Sequence, residues 1–190
     1  MQLRQHQHEL QQYLSNCVTN GEFVKDIIMQ VTPGGGKSVI PKIAYHILKN
    51  ADYVDKLLWI VPRANLRTQG AEDMANKDYI SEIGGATFYD FYEAANEIDP
   101  SRGTAGFATT YQAISMDSVG INSAELENHR YLVVLDEVHH VEHGGKYHQM
   151  LTPILEKAHA KIFMTGTLER GDQKPIAFLP YTEGRNTYAL

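Results

Sequence analysis

A single cysteine, Cys17, means that no internal disulfide can form, and it fits a reducing compartment. No apolar run reaches the length that spans a bilayer, and the Gln- and His-rich amino terminus lacks the apolar core of a signal peptide. Both absences predict a cytoplasmic protein with no membrane partner. Positive charge is also scarce: 17 Lys and Arg stand against 23 Asp and Glu, a net charge of -6. Affinity for nucleic acid comes largely from basic side chains neutralising phosphates, so this stretch by itself should hold nucleic acid only weakly. A local basic strip remains compatible with that total, because net charge says nothing about distribution. His139, His140, His143 and His148 have no cysteine near them and match no standard zinc spacing, so zinc is not expected.

What remains is an ordinary globular composition, 43% hydrophobic and 21% charged over 190 residues. That length suits one domain with a sheet between two helix layers and leaves no room for a second large one. Leu3, Leu10, Tyr13 and Leu14 fall near helical spacing, and Asn20-Gly21 closes that helix. Apolar, β-branched runs at 27–31, 56–61, 106–110, 131–135 and 161–165 read as strands. Helices are predicted over 37–49, from about 66 to 76, and over 111–116, 123–128 and 147–158. Between them, a short strand at 86–89 and a helix at 90–97 are expected. The alternation predicts an α/β fold, a mostly parallel sheet with helices on both faces.

One stretch carries chemistry. The strand Ile27-Ile28-Met29-Gln30-Val31 runs into Thr32-Pro33-Gly34-Gly35-Gly36-Lys37-Ser38 and then into a helix. Without Cβ atoms, Gly34, Gly35 and Gly36 can bring backbone N–H groups close to an anion, and the positive end of the helix faces the same point. Lysine suits the β- and γ-phosphates and the serine hydroxyl suits Mg2+. A glycine-rich turn that merely precedes Lys-Ser would need neither the strand before it nor the helix after it. The full phosphate-loop pattern would place its first glycine at Val31, so this loop is a shortened form.

A second element completes the site. Asp136 and Glu137 directly follow the apolar strand Tyr131–Leu135, and ligands in open α/β sheets bind beyond the carboxyl ends of strands. If the two strands are near neighbours, Asp136 can hold the metal through water and Glu137 can accept a proton from the attacking water. Acidic residues after a strand often do no more than stabilise a helix start. Paired with a phosphate loop, the catalytic reading prevails.

Asp136-Glu137-Val138-His139 resembles the D-E-x-H box of superfamily 2 helicases and translocases, and Thr32 to Ser38 resembles their motif I. Pro62-Arg63 with Leu66 and Gln69 is similar to motif Ia, Thr109-Thr110-Tyr111-Gln112 to the T-T-Y-Q element, and Thr165-Gly166-Thr167 to motif III. Leu3-Arg4 with His6-Gln7 resembles the adenine-reading element. These matches run from Leu3 to Thr167 in the family's order. The branch most resembled is the helicase subunits of type I and type III restriction enzymes.

The resemblance implies a RecA-like three-layer sandwich over residues 1–168, with 169–190 a tail or the start of a linker to a second domain. It implies ATP and Mg2+ as ligands, an ATP hydrolase activity, and movement on nucleic acid, with DNA as the expected form. Gln7 and Arg4 would contact adenine. Thr32, Gly34, Gly35, Gly36, Lys37 and Ser38 would hold phosphate, Ser38 and Asp136 would serve Mg2+, and Glu137 would be the base. His139 would sense the γ-phosphate and pass its presence to Thr165 and Thr167, while Arg63 and Thr110 would touch a nucleic-acid backbone. Such enzymes have a second RecA-like domain that supplies arginines to the transferred phosphoryl group. That domain is a required partner here, and this stretch alone should bind nucleotide but turn it over poorly. A nucleotide-dependent switch that unwinds nothing is the alternative, and it differs in whether nucleic acid changes the ATPase rate.

Overall fold

Apolar strands alternating with one-sided helices have one economical solution: the strands form a central sheet and the helices cover both faces. The computed structural model adopts it. It describes residues 2–180 apart from 25, 78, 79, 85, 86, 98, 102, 117–120, 122 and 173. In chain order the elements are α1 (Gln5–Asn20), β1 (Ile27–Gln30), α2 (Val39–Asn50), β2 (Lys56–Val61), α3 (Ala64–Ala75), α4 (Ile80–Ile83) and β3 (Phe91–Glu93). There follow β4 (Gly106–Thr110), α5 (Tyr111–Ser115), α6 (Ser123–Asn128), β5 (Tyr131–Leu135), α7 (Lys146–Lys157) and β6 (Ala160–Thr165).

The strands lie in the order β1-β6-β5-β2-β4-β3, and every one of these pairings is parallel. Side chains alternate across the sheet as the strand period requires. Leu57, Trp59, Val61, Leu132 and Val134 join the core beneath α1, α2 and α3. Leu58, Ile60, Tyr131, Val133 and Leu135 join the one beneath α5, α6 and α7. All ten are 2% exposed or less, and burying each side chain of this size stabilises the fold by roughly 1.5–3 kcal/mol before entropy is charged. No helix among the described residues is long and apolar enough to cross a membrane.

Two expectations fail between α3 and β4. Residues 87–90 form no strand (residue 86 lies outside the described residues), and the helix expected over 90–97 is replaced by β3. Phe91 and Tyr92 pair along β4 with Gly106 and Phe107, and Phe91 enters the core under α3. A partner strand and a buried face outweigh the helical preference of Glu93-Ala94-Ala95. The strands that lead into the glycine loop and into Asp136-Glu137 are near neighbours, with β6 between β1 and β5. After β6 the chain folds back. Ile176 bridges Glu142 in antiparallel fashion, Ala177 N–H donates to Val141 O at 2.9 Å, and Ile176, Ala177 and Leu179 are buried in the second core. Residues 181–190 lie outside the described residues.

Candidate nucleotide site

The loop between β1 and α2 is shaped by what its glycines omit. Gly34 and Gly36 have φ of 75° and 78°. A Cβ at Gly35 would lie 2.4 Å from Val31 Cγ1 and 2.7 Å from Thr32 O, and one at Gly36 would lie 2.7 Å from Gln7 Nε2. Only glycine fits either place. The loop is pinned by Val31 N–H donating to Thr165 O at 2.9 Å and Gly35 N–H donating to Thr32 O at 2.9 Å. Gln7, 1% exposed on α1, donates through Nε2 to Gly36 O at 2.9 Å while its Oε1 accepts from Arg4 N–H at 2.8 Å. Ser38 stands at the N-cap position of α2 with no capping bond from its side chain, and Lys37 and Ser38 so lie at the helix's positive end.

Across the sheet's rim, Asp136 N–H continues the ladder by donating to Ile60 O at 2.8 Å, and the Tyr111 hydroxyl donates to Asp136 O at 2.8 Å. The backbone of Asp136 is held from two sides, yet its Oδ1 is buried with no hydrogen-bond partner. Burial pushes this carboxyl up to about 6, opposed by Lys37 and reinforced by Glu137. Glu137 adopts a left-handed backbone, φ 50° and ψ 52°. Its carboxylate reaches the end of β6, where Oε2 accepts from Gly166 N–H at 3.0 Å, and Oε1 forms an ion pair with Lys37. Burial alone would raise the Glu137 carboxyl, but the hydrogen bonds from Lys37 and Gly166 hold it below its ordinary value.

His139 sits in a 3-10 turn, Val138–His140, with Nδ1 3.0 Å from Thr165 Oγ1 and 3.3 Å from Glu137 Oε2. The Thr165 hydroxyl donates to Thr167 O at 2.6 Å and accepts from Thr167 N–H at 3.2 Å. Its own proton is therefore committed, and the hydrogen-bond network assigns the His139 proton to Nδ1. Burial lowers the His139 pKa, and His140, tilted against it with ring centroids 4.5 Å apart, lowers it further.

A cavity of about 370 Å3 joins these parts, lined by Gly34, Gly36, Lys37, Ser38, Asp136 and Glu137, and it extends beneath α3 to Trp59, Gln69 and Gly70. Anion-accepting backbone, a lysine, a serine hydroxyl and the Asp136 carboxylate fit a magnesium-bound phosphate. Among the described residues no group of three or more His, Cys, Asp and Glu could hold a metal by itself. Magnesium needs none here, since it is commonly held by one or two protein oxygens together with substrate phosphates.

The family model described as Type III restriction enzyme, res subunit, matches residues 1–170. The chain belongs to this family. An uncharacterized protein of Mycobacterium leprae is 26% identical over 157 residues, covering 83% of this chain and 25% of its own length. Among solved structures, the SWI2/SNF2 ATPase core of Sulfolobus solfataricus in complex with dsDNA superposes with a TM-score of 0.63 at 18% identity, over 92% of this chain and 34% of that one. The Hef helicase domain of Pyrococcus furiosus gives a TM-score of 0.59 at 16% identity, over 90% and 34%. The fold is the first RecA-like domain of superfamily 2 helicases. The chain spans about a quarter of the curated relative and about a third of each of these structures.

In this type III restriction res-subunit domain, Lys37, Glu137, His139, Thr165 and Thr167 form one connected network, and Ser38 and Asp136 line the same cavity as Lys37. Arg4 is exposed at the start of α1, and Thr32 is exposed with its carbonyl engaged by Gly35. Arg63 is exposed before α3, whereas Thr110 is 8% exposed and its hydroxyl caps α5 by accepting from Ala113 N–H at 3.1 Å. Both follow or end neighbouring strands, where Val61 is level with Thr110, so they share the rim that carries the cavity. Two participants were not foreseen, the Gly166 N–H and the Trp59 ring. Gly166 lay inside a recognised motif without a role, and the facing of Trp59 is legible only once strand register is known.

Proposed function

We propose that this domain binds ATP and is the first half of an ATP-hydrolysing superfamily 2 motor that moves on nucleic acid, DNA being the expected track, together with a second RecA-like domain. The ion pair between Lys37 and Glu137 carries this reading. Phosphate oxygens entering the loop compete for Lys37, and its departure frees the Glu137 carboxylate to accept a proton from the attacking water. Gly34, Gly35 and Gly36 admit the phosphates against the loop backbone, with Thr32 shaping the turn, while Arg4 and Gln7 lie where adenine contacts would tie α1 to the loop. Ser38, and Asp136 through water, would hold magnesium, which would supply charge neutralisation at the phosphate oxygens. His139, bonded to Thr165, and Thr165, bonded to Thr167, give the base a direct link to the segment after β6. Arg63 and Thr110 offer the rim to a nucleic-acid backbone.

The test uses a full-length protein containing this domain. ATP turnover should rise on adding DNA, and Glu137→Gln should keep nucleotide binding while abolishing turnover. The 190-residue chain should bind ADP with little hydrolysis, since the missing arginines are worth about a thousandfold or more in rate. Turnover in the full-length protein that ignores both DNA and RNA defeats the motor reading and favours a nucleotide switch. Undiminished turnover in Glu137→Gln removes Glu137 as the base.

A further inference from the structure

Two buried polar atoms on residues that line this cavity complement each other. Trp59 Nε1, on a residue 2% exposed, has no hydrogen bond, and neither has Oδ1 of Asp136, 8% exposed. An indole N–H only donates and an ionised carboxylate only accepts, so each is what the other requires. Buried tryptophans normally find a partner for this N–H. Strand register explains why these two do not touch. Trp59 is level with Val134, and both face the α1, α2 and α3 side. Asp136 stands two residues beyond Val134, just past the end of β5, and lines the same cavity as Trp59. That cavity, about 370 Å3, has room for a water between them. A Cβ on Gly70 of α3 would meet the ring at 2.9 Å, so helix and sheet clamp it.

We infer that Trp59 is a positioning residue for Asp136: its indole N–H donates to a water that donates in turn to Asp136 Oδ1. The bridge fixes the carboxylate's rotamer and leaves its second oxygen for the metal side of the site. The metal consequence rests on the nucleotide reading above, while the bridge itself does not.

The chain contains one tryptophan, so a 15N-labelled sample shows a single indole N–H resonance. In the 190-residue protein without nucleotide, that proton should exchange slowly, show a cross-relaxation peak to bound water, and shift in Asp136→Ala. A resonance that Asp136→Ala leaves in place, with no water contact, overturns the bridge. Trp59→Phe keeps an aromatic ring on β2 and removes the donor, together with part of the ring that packs on Gly70. Its ADP affinity should weaken by about fivefold or more in Mg2+ and stay unchanged in EDTA. Equal losses under both conditions, or none, overturn the positioning role, because packing damage does not distinguish them. Failure of the unsubstituted chain to bind ADP at all would refute the nucleotide reading, and the indole resonance would still decide the bridge.

Discussion

Asp136→Asn should make the domain more stable and, at the same time, weaken its use of magnesium. Asp136 is 8% exposed, and burial raises its carboxyl from an ordinary 3.8 to about 6. The folded state therefore binds the proton more tightly than the unfolded chain. The stability this confers is complete below pH 3.8 and is lost as pH rises through 6, so at pH 8 the ionised group costs the fold the whole difference. At about 1.4 kcal/mol per pH unit, that cost is about 3 kcal/mol. Asparagine removes the charge but leaves a buried amide that must find its own partners, so a gain of about 1–3 kcal/mol is expected at pH 8. Linkage leaves about half of it at pH 5. Urea denaturation of the 190-residue chain and the variant at both pH values measures the effect. In the same variant, ADP affinity should lose its dependence on Mg2+. An asparagine variant no more stable than its parent at pH 8, or one whose gain does not shrink at pH 5, refutes the premise that Asp136 is buried as a strained anion.

Two more perturbations probe the rest of the molecule. Gly35→Ala drives a methyl into Val31 and the Thr32 carbonyl, and should cost about 1–3 kcal/mol in urea denaturation. Calorimetry should find ADP affinity at least tenfold lower, and affinity within twofold of the parent would show that this loop is not the phosphate cradle. Ending the chain after Arg170 strips Ile176 and Leu179, 1% and 7% exposed, from the second core. This should cost roughly 3–6 kcal/mol, and an unshifted urea midpoint would show that the returning segment contributes nothing to the fold.

The local features of the site are those the sequence makes legible. A strand, a glycine turn and Lys-Ser are contiguous, and so are a strand and Asp-Glu, so periodicity and turn chemistry suffice to find them. What joins them is not contiguous. Lys37 meets Glu137 only because β6 inserts between β1 and β5 and delivers Gly166 to the same carboxylate, and nothing local announces a strand order. The same reason accounts for β3, an edge strand created by its partner β4 within residues that read as helical. Gln7 makes contacts that its motif position does not announce: the side chain spans from Arg4 N–H to the Gly36 carbonyl and so braces the phosphate loop.

The strand that carries the phosphate loop stands at one edge of the sheet, and its only neighbour among the described strands is β6, with Ile27 level with Ile162. During synthesis at about 5–20 residues per second, β1 leaves the ribosome on the order of ten seconds before that neighbour exists. Until then its backbone N–H and C=O groups have water or an unrelated strand as partners, the situation in which mispairing begins. A ribosome that stalls before residue 160 leaves a polypeptide with a phosphate loop but no β6 against which to hold it. On the proposed function, nucleotide binding is thus a late event in the life of a nascent chain, and a sensitive marker that its translation has passed residue 165.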